Sequence, residues 1–147
     1  MTRDGFVVPL WFRIWRNRMP GYRVPATFPN AFLGVTLGND DYRCLPQLQR
    51  GKKFDRLYEV ARDRSVFRGL CGLLSWNDGK FWQALETNDQ HDERAALICA
   101  LTAVCSYRGR YVAVGDPVGG YFFLPPWALW ADWARSALEQ NRHDQLP

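Results

Sequence analysis

Residues Gly69 to Glu86 read GLCGLLSWNDGKFWQALE, and the way this stretch is parsed decides how the rest of the chain is assembled around it. Two apolar, aromatic-rich runs, Leu70 to Trp76 and Lys80 to Leu85, flank Asn77-Asp78-Gly79. Asp-Gly between such runs is tight-turn chemistry, with glycine supplying a positive φ, and the pattern predicts a central β-hairpin. In its second strand a period of two puts Phe81, Gln83 and Leu85 on one face and Lys80, Trp82 and Ala84 on the other. Gln83 then sits between two large apolar side chains, where an unpaired buried amide costs about 1–3 kcal/mol. It reads either as a glutamine on an open sheet face or bonded to nearby backbone, or as one that addresses a ligand.

Working outward, Ala31 to Leu37 (AFLGVTL) reads as a first strand ended by Gly38-Asn39-Asp40-Asp41. Lys53 to Arg64 reads as a helix, with Phe54, Leu57, Tyr58 and Ala61 at helical spacing. Beyond the hairpin, Thr87 to Asp92 is a turn with acidic capping material. Arg94 to Cys105 then carries a broad apolar helical face. Arg110 to Val114 and Gly120 to Leu124, separated by GDPVG, read as a further strand pair. Pro125-Pro126 closes it and opens a final helix through about Gln140, with Trp127, Trp130, Ala134, Ala137 and Leu138 in a stripe. That order predicts an α+β fold of the ferredoxin-like βαββαβ kind: one mostly antiparallel sheet with helices on one face, and a C-terminal helix to cover the other.

The parsing yields three parts: an N-terminal arm over 1–30, a single domain over 31–141, and a polar tail over 142–147. The arm holds four prolines and interleaves Trp11, Phe12, Trp15 and Tyr22 with Arg13, Arg16, Arg18 and Arg23. Prolines at 9, 20, 25 and 29 forbid one long helix. Tryptophan, tyrosine and arginine are the residues of interaction hot spots, so the arm either anchors a partner or folds back on its own domain. The net charge is +4 and uneven: 13 basic against 6 acidic side chains through Arg68, then 6 against 9. Lys52, Lys53 and Arg56 on the first long helix supply part of the basic excess, as a partner surface for an acidic or nucleic-acid ligand or as a solvated face.

At 147 residues and 47% hydrophobic, one domain with a real core is expected. No apolar run approaches the ~20 residues needed to span a bilayer, and the first residues lack a signal peptide's continuous apolar region, so the expected location is cytoplasmic. Cys44, Cys71, Cys99 and Cys105 are widely spaced without a C-x-x-C pattern, and His91 and His143 are the only histidines. Reduced thiols and no metal site are expected. No phosphate-binding glycine pattern is present, and neither histidine has a nucleophile at a recognisable spacing, so an enzyme is not expected.

The central stretch and its flanks resemble the BLUF family, the small blue-light sensors that use FAD on a ferredoxin-like scaffold. The resemblance rests on Leu70-Cys71-Gly72-Leu73-Leu74, the Asn77-Asp78-Gly79 turn, and Phe81-Trp82-Gln83-Ala84-Leu85-Glu86. It implies that Gln83 is the flavin-contacting glutamine, that Tyr42 is the light-active tyrosine, and that Trp127 lies in the family's Trp/Met segment. The family's flavin-holding asparagine would fall near Ser65, and Tyr42 follows Gly38-Asn39-Asp40-Asp41 in place of an apolar strand. Those two departures imply a BLUF-like scaffold used without flavin.

The function expected is therefore that of a small non-enzymatic protein that binds a macromolecular partner as inhibitor or regulator, of the kind a mobile element directs at a nucleoprotein complex. Trp11, Arg13, Trp15, Arg16, Arg18, Lys52, Lys53 and Arg56 are its expected contact residues. The alternatives are an FAD-binding photosensor built on Tyr42, Gln83 and Trp127, and a direct nucleic-acid binder.

Overall fold

A computed structural model describes residues 27–43, 45–116 and 120–144. The described chain runs α1 (Pro29–Gly34), α2 (Arg50–Asp63), α3 (Val66–Leu74), α4 (Gly79–Thr87), α5 (His91–Tyr107), β1 (Val112–Asp116), β2 (Gly120–Leu124) and α6 (Asp132–Asp144). Single 3-10 turns occur at Asn39–Tyr42, Leu45–Gln47 and Trp127–Leu129. The expected ferredoxin-like βαββαβ sheet is not formed. The sheet among the described residues is one antiparallel pair, β1 with β2, in the register Val112↔Leu124 through Asp116↔Gly120. The N-terminal arm, with Trp11, Arg13, Trp15, Arg16 and Arg18, lies outside the described residues.

The largest correction falls on Gly69 to Glu86, which forms two helices and no hairpin. Val66, Phe67, Leu70 and Leu74 are the buried residues of α3, at helical spacing. The helix's first turn, Val66 to Arg68, precedes Gly69, and the apolar run from Gly69 onward is short enough to fit either period. Ser75, in the left-handed region at φ 46°, ends α3. Asp78 then acts as the N-cap of α4, its Oδ1 accepting from the Phe81 backbone N–H at 3.1 Å. Asp-Gly is thus a cap followed by the first helical residue, the other structure this dipeptide serves. On α4 only Leu85 is fully buried, Phe81 and Trp82 are half-buried, and Gln83 turns outward and is exposed.

Ala31 to Leu37, expected as a strand, is instead most of α1 and the turn after it. Pro29 supplies a helix start, and Phe32, Leu33 and Leu37 all point into the core. The main core gathers these with Phe54, Leu57, Tyr58 and Ala61 of α2, Phe67, Leu70 and Leu74 of α3, Leu85 of α4, and Ile98, Leu101 and Cys105 of α5. A second cluster, Val112, Leu124, Trp130 and Ala134, packs the hairpin against α6, with Ala31, Val35 and Leu138 at its edge.

The last helix is fastened to α1 by hydrogen bonds as well as by packing. The Ala131 amide donates to the Val35 carbonyl at 2.7 Å, and the Trp133 indole donates to the Leu37 carbonyl at 2.6 Å. Tyr42 fills the corner between them, donating its hydroxyl to the Gly34 carbonyl and setting its ring edge-on to Trp133 at 5.8 Å. A Cβ on Gly34 would lie 2.8 Å from that hydroxyl, so the close approach needs glycine there.

The two parsings of Asp78-Gly79 make opposite predictions. A Cβ at Gly79 meets open space, so Gly79→Ala is expected to leave stability unchanged or raise it by about 0.4–1 kcal/mol, and Asp78→Ala to cost about 1 kcal/mol, in urea denaturation. A hairpin turn would reverse that ranking, because alanine resists the positive φ that such a turn demands.

Candidate functional site

The turn from α3 to α4 builds an aromatic corner. Trp76 lies just past the end of α3, and its carbonyl accepts from the Trp82 indole N–H at 2.6 Å. The two indoles lie 5.7 Å apart at an interplanar angle of 68°, and Phe81 packs on Trp76 at 4.7 Å and on Trp82 at 5.6 Å. All three rings are half-buried, which leaves aromatic surface facing out at a rigid place.

Across from this corner runs the C-terminal half of α5. Trp76 forms one wall of a shallow, mostly apolar groove of about 310 Å³, and Ala103, Val104, Tyr107 and Arg108 form the other. Tyr107 is 89% exposed, the most exposed of the large hydrophobic side chains described. Tyrosine, tryptophan and arginine converging on one concave surface is hot-spot chemistry: large contact area, few rotatable bonds, and donors at the rim. The sequence pattern places this chemistry in the N-terminal arm, which lies outside the described residues, and this second occurrence forms only in the folded body. The available signal was Tyr107-Arg108 at the end of an apolar helix that has Trp76 within reach only after folding.

A second constellation that sequence reasoning missed is buried. Arg94 is 5% exposed, with its guanidinium over the Tyr58 ring at 5.0 Å. Its Nε donates to the Asn88 carbonyl at 2.9 Å, and one terminal nitrogen reaches Asp55 at 3.3 Å and Glu59 at 3.6 Å. His91 Nδ1 lies 3.0 Å from the other Asp55 oxygen and sets its ring edge-on to Phe54. Arg94 falls on the same helical line as Ile98, Leu101 and Cys105, so periodicity alone places it inward. This is a staple between α2 and α5, with the charge matched by two carboxylates.

Among the described residues, the groups whose acidity is clearly shifted are all pushed toward the neutral form. Burial, reinforced by Asp41, pushes the Tyr42 phenol up to about 12. Burial likewise pushes Tyr58 to about 12, against the opposing pull of Arg94 and Arg62. It also pushes the Cys105 thiol up to about 12. An activated nucleophile is shifted the other way.

The three residues that a flavin would require are not brought to one place. Tyr42 and Trp127 both lean on α6, Tyr42 through Trp133 and Trp127 beneath the Arg135 guanidinium at 5.7 Å. Gln83 is exposed on α4, which packs on α3 and α5. The Tyr42 hydroxyl already donates to the Gly34 carbonyl. Of the expected partner residues on α2, Lys52 is exposed, Lys53 is half-buried, and Arg56 is exposed with Glu59 3.6 Å away. Arg62 likewise lies 3.8 Å from Asp63 and Arg64 2.9 Å from Asp41, so much of the basic excess in the described body is locally paired. Among the described residues no group of three or more His, Cys, Asp or Glu could hold a metal ion. Cys99 is exposed, Cys71 half-buried and Cys105 buried. No helix among the described residues is long and apolar enough to cross a membrane.

Comparison with known proteins finds no matching family model, no matching curated protein and no matching solved structure.

The upward shifts fix the sign of an alkaline effect. The folded state keeps these protons where the unfolded chain, at the ordinary values of 10.0 for tyrosine and 9.0 for cysteine, has released them. Their contribution to stability is complete below those unfolded values and is lost as pH rises toward about 12. The melting midpoint is expected to fall over that window, and the Tyr42→Phe/Tyr58→Phe variant to show a shallower fall, read by circular dichroism.

Proposed function

We propose that the chain is a small, cytoplasmic, non-enzymatic binding protein that engages a protein or nucleoprotein partner as an inhibitor or regulator, as a mobile element would direct at a nucleoprotein machine. The observation that carries this reading is the groove between Trp76, in the turn after α3, and Tyr107-Arg108 at the end of α5, where aromatic surface and a guanidinium meet. The Trp82 indole bonds the Trp76 backbone carbonyl, which fixes the turn that carries Trp76, and Tyr107 is the last residue of the longest helix described. The arm residues Trp11, Arg13, Trp15 and Arg16 offer the same chemistry in sequence and serve as a second contact.

Capture from an extract of the producing cells, with identification by mass spectrometry, tests the proposal. Trp76→Ala/Tyr107→Ala and the fourfold alanine variant of Trp11, Arg13, Trp15 and Arg16 are each expected to lose the same captured species, by at least tenfold, while the tyrosine and arm changes leave the melting midpoint nearly unmoved. Retention of that species by both variants would sink the reading. If nuclease treatment abolishes capture, and affinity for the isolated nucleic acid falls steeply with salt, the chain binds nucleic acid directly and the protein-partner reading is overturned.

A further inference from the structure

Both faces of the β1–β2 hairpin are apolar. By the register of the pair, Val112, Val114, Phe122 and Leu124 share one face, and Ala113, Tyr121 and Phe123 share the other. The first face is covered by Trp130 and Ala134, with Ala31 and Val35 at its edge. The second face is as deeply buried, Ala113 being 5% and Phe123 3% exposed, yet it forms a cluster apart from the main core. Among the described residues the hydrophobic side chain packed against this cluster is Tyr111, whose ring stacks on Phe123 at 4.7 Å. A single ring at the α5 end does not cover strands that run about 17 Å. Two strands alone are marginal in water, and apolar side chains this far from solvent require a layer over them.

The described chain starts beside this hairpin. Phe28 has extended backbone at φ −121° and lies against the Phe122 ring at 6.0 Å, so residues 1–26 join the body at β2. Adjacent strands are about 5 Å apart, and Val24 lies within about 11 Å of Thr27 at full extension, enough to round the edge of β2.

We propose that the chain's own segment Tyr22 to Val24 lies across the second face of the hairpin as its missing layer. Pro20 and Pro25 bracket the segment and deny it a helix, and a residue that precedes proline, as Val24 does, is held extended. In extended chain alternate side chains share a side, so Tyr22 and Val24 meet the hairpin together and Arg23 turns to solvent. The small Ala113, among the rings of Tyr111, Tyr121 and Phe123, leaves the notch they enter. The arm is thereby pinned at its near end, and Trp11, Arg13, Trp15 and Arg16 lie beyond the pin. The contact is internal to the chain and is read on the isolated protein, so its outcome is independent of whether the proposed partner is found.

Photocross-linking of the full chain is the test. With p-benzoylphenylalanine in place of Tyr22, irradiation followed by trypsin is expected to join the arm to the peptide of residues 111–135, at Tyr111, Ala113, Tyr121 or Phe123, within a single 17.1 kDa species. The same probe in place of Arg23 is expected to give at most a tenth of that yield. In brief digestion of the wild type, cleavage after Arg23 is expected to be at least tenfold slower than in a synthetic peptide of residues 15–30, while cleavage after Arg16 keeps the peptide's rate. Val24→Asp is expected to abolish this protection; the wild-type measurements decide the matter even where that variant fails to fold. Links from position 22 that fall elsewhere, links that join two copies, or cleavage after Arg23 at the peptide's rate would each overturn the proposal.

Discussion

The phenol of Tyr58 donates to the Leu85 carbonyl at 2.7 Å in a fully buried setting, and most of the helical body is organised about that bond. Leu85 lies in the last turn of α4, where helix carbonyls have no partner within the helix. The tyrosine supplies that partner from α2. Its ring touches Phe54 at 6.2 Å, Phe67 of α3 at 5.0 Å, and the Arg94 guanidinium of α5 at 5.0 Å. One side chain thus sets the spacing of four helices.

Arg94 completes this node at a cost in desolvation that only its partners offset. Removing a charge from water is tolerable when its donors are matched, and here two carboxylates of α2 and the Asn88 carbonyl receive them. Such a staple fixes the rotation of α5 about its own axis, because the guanidinium can reach Asp55 and Glu59 from one rotational setting only. With that rotation set, Ala96, Ala100, Ala103 and Tyr107 must face outward, and Trp76 must meet Val104 and Tyr107 across the groove. The surface features on which binding is proposed are consequences of a buried charge on the opposite side of the same helix.

Several elements were legible in the sequence. The helix read as Lys53 to Arg64 is α2, that read as Arg94 to Cys105 is the middle of α5, and the strand pair near Arg110 to Leu124 is the observed hairpin. These segments carry either a long helical period or β-branched and aromatic residues around a Gly/Pro turn, and neither pattern has a competing parse. The two failures, Ala31 to Leu37 and Gly69 to Glu86, are both short apolar runs beside residues with two uses. Pro29 can end an extended segment or begin a helix, and Asp78-Gly79 can turn a hairpin or cap one. Gln83 seemed misplaced only under a period of two; at 3.6 residues per turn it is an exposed polar residue opposite Leu85.

The sequence by itself determined which segments were apolar enough to be buried, where the chain must turn, and the identity of the hairpin, since those properties follow from local chemistry. Only the tertiary structure decided between helix and strand for the central stretch. A nine-residue apolar segment has too little intrinsic preference to choose, and the choice came from the inward line of Val66, Phe67, Leu70 and Leu74 packing with Tyr58. It also decided the site. Trp76 and Tyr107 are 31 positions apart in the chain, and they share a groove because the contacts of α4 and α5 around Leu85 and Arg94 bring them together.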